Sequence, residues 1–197
     1  MPVPAATLAA LRPPFPSSPS PGPTRLRVPD LLYATDQAAD DVLSGRCDHL
    51  LPPGGIQASR RWFTRIHGDE ELDVWLISWV PGHPTELHDH GGSLGALTVV
   101  SGSLNEYRWD GRALRRRRLD AGDQAGFPLG WVHDVVWAPR PVSGPVSRRA
   151  VAAAQAAPTL SVHAYSPPLT AMSYYDITER KTLRRQRTEL TDQPEGS

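Results

Sequence analysis

The sequence predicts an all-β fold, a small barrel preceded by one helix and flanked by two loose ends. Three observations carry that reading. From about residue 60 to residue 165 the chain runs in short strand-like segments parted by turn residues. Helical periodicity is confined to a stretch before them. Within the strand region, two glycine-framed segments carry histidines at spacings that suit strands rather than helices.

Taken in order, residues 1–25 hold eight prolines, with Ser17, Ser18, Ser20 and Gly22 among them. Proline removes backbone donors and holds its predecessor extended, so this part is expected to be a disordered or polyproline-like arm. Asp30 to Ser44 suits a helix, with Asp30 as N-cap and Gly45 at the C′ position. Leu31, Leu32, Ala38, Ala39, Val42 and Leu43 would share its buried face. Pro52-Pro53-Gly54-Gly55 then breaks the chain. Strands are expected at 60–66, 72–80, 85–90, 95–101, 104–109, 113–119, 125–127, 132–138 and 159–165. His67-Gly68-Asp69, Asp110-Gly111 and Ala121-Gly122-Asp123 supply turns between them. Residues 139–158, rich in Pro, Ser and Ala, are expected to form a long loop. The resulting division is an arm (1–25), one domain (26–176) and a polar, solvated tail (177–197).

Composition narrows the function. Lys and Arg total 21 against 21 Asp and Glu, so no net field recruits nucleic acid or an anionic membrane. Arg115-Arg116-Arg117-Arg118 follows the Asp110-Gly111 turn and is expected to decorate a solvated edge or outer sheet face, where charge discourages edge pairing. The single cysteine, Cys47, excludes an intrachain disulfide and fits a reducing cytoplasm. No apolar run approaches the roughly 18 residues of a membrane span, and no signal peptide is expected from the N-terminal residues. A soluble, cytoplasmic protein is expected, taken as a monomer.

The chemistry lies in Gly82-x5-His88-x-His90-x4-Gly95-x6-Gly102 and Gly122-x5-Pro128-x-Gly130-x2-His133. Strand residues alternate faces and advance about 3.3 Å each, so His88 and His90 point the same way about 6.6 Å apart while Asp89 turns aside. Two imidazoles so placed converge on one ion at bonds of about 2.1 Å, and His133 adds a third neutral nitrogen. Glu86 shares their face if the strand starts early enough, which leaves a two-His-plus-Glu site open. Asp134 could orient the neighbouring ligand or face solvent. Further along, Ser161, His163 and Tyr165 alternate onto one strand face within Ser161-Val162-His163-Ala164-Tyr165-Ser166-Pro167-Pro168, consistent with a hydrogen-bonded relay toward the metal. Whether Ser166-Pro167 is cis is left open. The six tryptophans are read as packing, with Trp79 a candidate for the pocket wall.

The two half-motifs resemble the paired signatures of cupins, small jelly-roll barrels that hold a metal inside. Most cupins place a glutamate ligand where this chain has Gly95. That departure, Trp79-x-Pro81-Gly82, His88-Asp89-His90, the Tyr165 segment and Phe63-Thr64-Arg65 together resemble the cysteine dioxygenase family over residues 60–176. The resemblance implies Fe(II) on His88, His90 and His133. It also implies Arg65 on the substrate carboxylate, Phe63 at the substrate end of the pocket, and Tyr165 as the active-site tyrosine partnered by His163 and Ser161. Animal members carry at the Gly95 position a cysteine cross-linked to that tyrosine; glycine forbids the bond, and Cys47 is no substitute.

With three neutral imidazoles the ion keeps its charge, which leaves room for an anionic thiolate from substrate. The family implies that cysteine and O2 meet there and give the sulfinic acid, an irreversible step for the thiol. Related thiol dioxygenases that prefer 3-mercaptopropionate carry glutamine at the Arg65 position, so the resemblance favours cysteine, with 3-mercaptopropionate or cysteamine as the alternative substrates. A non-catalytic cupin that binds a metal or small ligand is the reading from another class, and three imidazoles alone would also accept Zn(II) or Ni(II).

Overall fold

The structure, a computed structural model, describes residues 26–83, 85–140 and 147–195. The proline-rich arm lies outside the described residues, as does 141–146 of the expected loop.

Helix α1 spans Val28–Leu43 and starts two residues earlier than expected. Arg27 is the N-cap, and Asp30 sits in the first turn, where its carboxylate accepts the Arg27 backbone N–H at 2.7 Å. An acidic group there also suits the positive end of the helix. Gly45 adopts φ +79°, as the C′ role requires. Leu31, Ala34, Ala38 and Ala39 are buried and Leu32 and Val42 pack beside them, but Leu43 is exposed.

All nine expected strands form: β1 (Trp62–Gly68), β2 (Asp73–Trp79), β3 (His88–Asp89), β4 (Leu94–Ser101), β5 (Ser103–Trp109), β6 (Leu114–Asp120), β7 (Gln124–Phe127), β8 (His133–Trp137) and β9 (Thr159–Ser166). Two more follow: β10 (Ala171–Ile177) at the end of the expected domain, where no strand was foreseen, and β11 (Leu183–Leu190) where a solvated tail was expected. They pair as an antiparallel hairpin, and β10 also pairs with β3. The Leu183–Leu190 strand is nearly all exposed, so no apolar alternation marks it in the sequence, and backbone pairing carries it. The 139–158 segment likewise contains a helix, α2 (Arg148–Ala156), because its alanine run has high helix propensity.

The strands make two antiparallel sheets, ordered β1-β2-β9-β4-β7 and β11-β10-β3-β8-β5-β6. Together they form the cupin-type barrel that the half-motifs led us to expect. β2 is buried along its whole length, and β9 at every residue but Leu160, because both faces of the first sheet are covered. Outward, Val74, Leu76, Ala96, Val162 and Ala164 pack on α1. Inward, Trp75, Ile77, Trp79, Leu97 and Tyr165 meet Leu104, Leu119, Val135 and Met172 of the second sheet. Alternation therefore turns Ser161, His163 and Tyr165 into the barrel, where their polar groups must find partners or carry a desolvation cost. β6 is the edge of its sheet and carries the four arginines; Arg115 and Arg118 bind Asp110 and Asp120 beside them.

Candidate metal centre and substrate pocket

His88 on β3 is the direct cross-strand partner of His133 on β8, so the register alone brings together residues that lie far apart in sequence. His90, just past the end of β3, closes the group. The three ring centroids form a near-equilateral triangle with sides of 5.0, 5.1 and 5.3 Å. One nitrogen from each ring lies within 4.8 Å of the others, and all three residues are buried. Asp89 turns to the other side, as alternation requires, and accepts from Tyr175 Oη at 2.6 Å.

The donor set fits a metal ion. His88 Nδ1–H donates to the Glu86 carbonyl at 2.7 Å, which fixes the tautomer, while its Nε2 is buried without a partner. An orphaned imidazole nitrogen facing two other imidazoles is costly unless something occupies the space between them. Burial and the neighbouring His133 lower the His88 pKa to about 4, and burial and the same neighbours hold His90 well below its usual range. Both rings are therefore neutral at pH 7, the form that binds metal. Glu86 takes no part: its exposed carboxylate makes a two-pronged pair with Arg187. Nor does Asp134 orient His133, since its carboxylate binds Thr85. Glu106 is the carboxylate beside that ring, 3.5 Å from His133 Nδ1 without a hydrogen bond to it, and held by Trp131 Nε1–H at 3.3 Å. Sequence reading missed Glu106, although it alternates with the inward Leu104 on the same strand.

Gly95 lies opposite Tyr165 in the β4–β9 register. A Cβ built there would come within 2.9 Å of the Phe127 ring and 3.1 Å of His90 Nδ1. The absence of a side chain is thus a packing requirement of the His90 ring. Gly95→Ala is expected to push that ring out of the triangle and weaken metal binding by roughly ten- to a hundredfold, read by competition titration against a chelator. Unchanged affinity would show that Phe127 gives way instead.

The relay on β9 is complete. Trp79 Nε1–H donates to Ser161 Oγ at 2.7 Å, and Ser161 Oγ is 2.9 Å from His163 Nε2. His163 Nδ1 is 3.3 Å from Tyr165 Oη, and the Tyr165 ring stands 5.1 Å from that of His90. The Ser166-Pro167 bond is cis. Sequence reading did not foresee the place of Glu195. Glu195 is 1 % exposed, and its carboxylate lies 2.8 Å from His163 Nδ1 and accepts from Tyr165 Oη. Burial alone would raise its pKa, but the pull and hydrogen bond of His163 outweigh that and hold it well below the carboxylate range. Burial, then the Glu195 charge, pushes the Tyr165 phenol well above its ordinary value, so it stays a donor.

Arg65 is not brought together with the histidines. Its side chain runs over Gly68, pairs with the buried Asp73 at 3.4 Å, lies over the Trp75 ring and remains partly exposed. Asp73, at the start of β2, supplies its counter-charge. Arg61, four residues earlier, reaches the site instead. It stacks on Trp79 at 3.8 Å, donates to the Glu195 backbone carbonyl, and leaves Nε buried without a partner. Burial lowers its pKa to about 10, so it keeps its charge at neutral pH. Phe63 lies between them on β1, packed edge-on against Trp75 at 5.9 Å, and borders a cleft of about 360 Å³ that also reaches Arg61. Cys47 is buried among other residues by α1.

A family model described as cysteine dioxygenase type I matches residues 56–178, more than half of the chain and all three histidines. Several solved structures are similar at low identity. KdgF from Halomonas sp. is 18% identical, with 54% of this chain and 80% of that chain covered and a TM-score of 0.41. A double-stranded β-helix protein from Klebsiella pneumoniae is 18% identical, covering 61% and 85%, with a TM-score of 0.42. A cupin-superfamily sugar phosphate isomerase from Silicibacter pomeroyi is 18% identical, covering 68% and 78%, with a TM-score of 0.44. Among the described residues, no helix is long and apolar enough to cross a membrane.

Proposed function

Because the chain belongs to the cysteine dioxygenase type I family, we propose that it oxidises the thiol of L-cysteine with O2 to the sulfinic acid, using Fe(II) held by His88, His90 and His133. The observation that carries this reading is the buried triangle of imidazoles with an unpaired nitrogen turned into it. Fe(II) bound there would supply the redox-active Lewis acid at which a thiolate and O2 meet.

The chain's own residues do the rest. Imidazole ligands add no charge of their own to a bound ion and leave its positive charge for the substrate's sulfur, and Glu106 stands 3.5 Å from the Nδ1 side of the His133 ring. Tyr165, kept protonated by burial, offers a hydroxyl donor beside His90, and the Trp79–Ser161–His163 chain fixes the imidazole behind it. The barrel interior excludes bulk water, which strengthens each of these contacts. A guanidinium near the pocket favours a thiol that also carries a carboxylate.

The test is anaerobic reconstitution with Fe(II), followed by labelled O2 and L-cysteine, 3-mercaptopropionate or cysteamine in separate reactions. Cysteine sulfinate carrying two labelled oxygens is expected, with the other two thiols oxidised more slowly. Faster oxidation of either would reassign the substrate. Iron-loaded protein that consumes no O2 with any thiol would make this a binding module.

A further inference from the structure

The site as it stands is closed by its own chain. His88, His133, His163 and Tyr165 have no exposed surface, so no thiol reaches them without a movement. What lies against His163 and Tyr165 is the segment after β11. Thr191 N–H donates to the Thr170 carbonyl at 3.1 Å, and Gln193 N–H to Thr191 Oγ1 at 3.0 Å. Arg65 donates to the Asp192 carbonyl at 3.2 Å and Arg61 to that of Glu195. Pro194 is buried, and the Glu195 carboxylate enters the barrel between His163 and Tyr165.

We propose that Thr191–Glu195 is a displaceable strap that fills the substrate pocket with its own carboxylate, and that a carboxylate-bearing thiol binds by expelling Glu195. The proposal rests on the thiol reading given above. Three features support it. The strap inserts a single anionic side chain against a phenol donor and an imidazole, with a guanidinium on its main-chain carbonyl beside them, a set of donors that would hold a small carboxylate. Arg61 is only half engaged: it bonds the strap's main chain, while its buried Nε has no acceptor. A ligand carboxylate gripping Arg61 two-pronged would satisfy that donor, which Glu195 does not. Finally, the exchange swaps one carboxylate for another, so the site's charge balance survives the opening. It costs only the anchoring of a short polar segment with one buried proline. Substrate affinity then scales with the fraction of molecules whose strap is out.

The test uses the full chain loaded with Fe(II), with O2 excluded and L-cysteine titrated calorimetrically into wild type, Glu195→Ala and the near-isosteric Glu195→Gln. Removing the competing carboxylate is expected to tighten cysteine binding about tenfold or more in Glu195→Ala, with a smaller gain in Glu195→Gln. Equal or weaker binding in both variants would overturn the strap and make Glu195 a fixed part of the relay. Sodium acetate provides an arm independent of thiol chemistry. It is expected to bind Glu195→Ala at millimolar concentration more tightly than wild type, and no difference between the two would also overturn the proposal. Acetate uptake by the variant, with no thiol bound or oxidised by either protein, would leave the carboxylate place intact and sink the thiol function alone.

Discussion

Replacing His133 by alanine is expected to lower metal affinity by more than a hundredfold and to abolish O2 consumption with any thiol. His133 is paired directly with His88 and stands 3.4 Å from His90, nitrogen to nitrogen, so its loss removes one corner of the triangle. Two imidazoles without the third hold an ion loosely and leave its position unfixed. Metal content after dialysis and oxygen-electrode rates measure the two effects. Circular dichroism separates them from unfolding, because the shortened side chain also leaves a cavity against Phe127, whose ring centroid is 4.2 Å from that of His133. A His133→Ala protein that keeps iron at wild-type stoichiometry would disqualify the triangle as the metal centre. Glu106→Gln gives the graded counterpart: the ring stays and only its outer partner changes, so the loss should be smaller.

Much of this site is legible in the sequence because it obeys strand alternation. The spacing of His88 and His90 places both rings inward and Asp89 outward, and the same rule puts Ser161, His163 and Tyr165 on one face. The glycine at 95 is legible as a departure from the cupin pattern, though its reason, the packing of His90 against Phe127, needs coordinates. What escapes sequence reading is set by side-chain direction and distant contact. Arg61 and Arg65 lie four residues apart, yet Asp73 and Trp75 receive one while Trp79 receives the other. Asp134 looks like the natural partner of His133 by adjacency, but neighbours on a strand face apart, and Glu106 comes from another strand. Glu195 is the extreme case. No periodicity marks a lone carboxylate in a polar stretch, and only the β10–β11 hairpin delivers it to a tyrosine thirty residues away.

Acid should destabilise the metal-free protein well before its exposed carboxylates titrate. His88 has a pKa of about 4 in the fold, lowered first by burial and then by His133. In the unfolded chain an imidazole titrates near 6.5. Below that value the unfolded state takes up a proton that the folded state refuses, so stability falls as pH drops and levels off only near pH 4. A gap of about 2.5 units at about 1.36 kcal/mol each amounts to roughly 3 kcal/mol from His88 alone. His90 is shifted the same way and deepens the loss. Glu195, held low by His163, adds a loss of the same sign at lower pH, since its carboxylate protonates first in the unfolded chain. Asp73 and Asp134, whose pKa values burial raises, work against the trend. Denaturant unfolding of metal-free protein between pH 7 and pH 4 is therefore expected to show a steep decline, and His88→Gln should flatten it. Saturating metal at pH 7 should raise stability, because binding to the folded state alone pulls the equilibrium toward it. A pH-independent unfolding free energy across that window would mean that water enters the triangle freely, and with it the sealed, charge-poor environment on which the thiol chemistry depends would be lost.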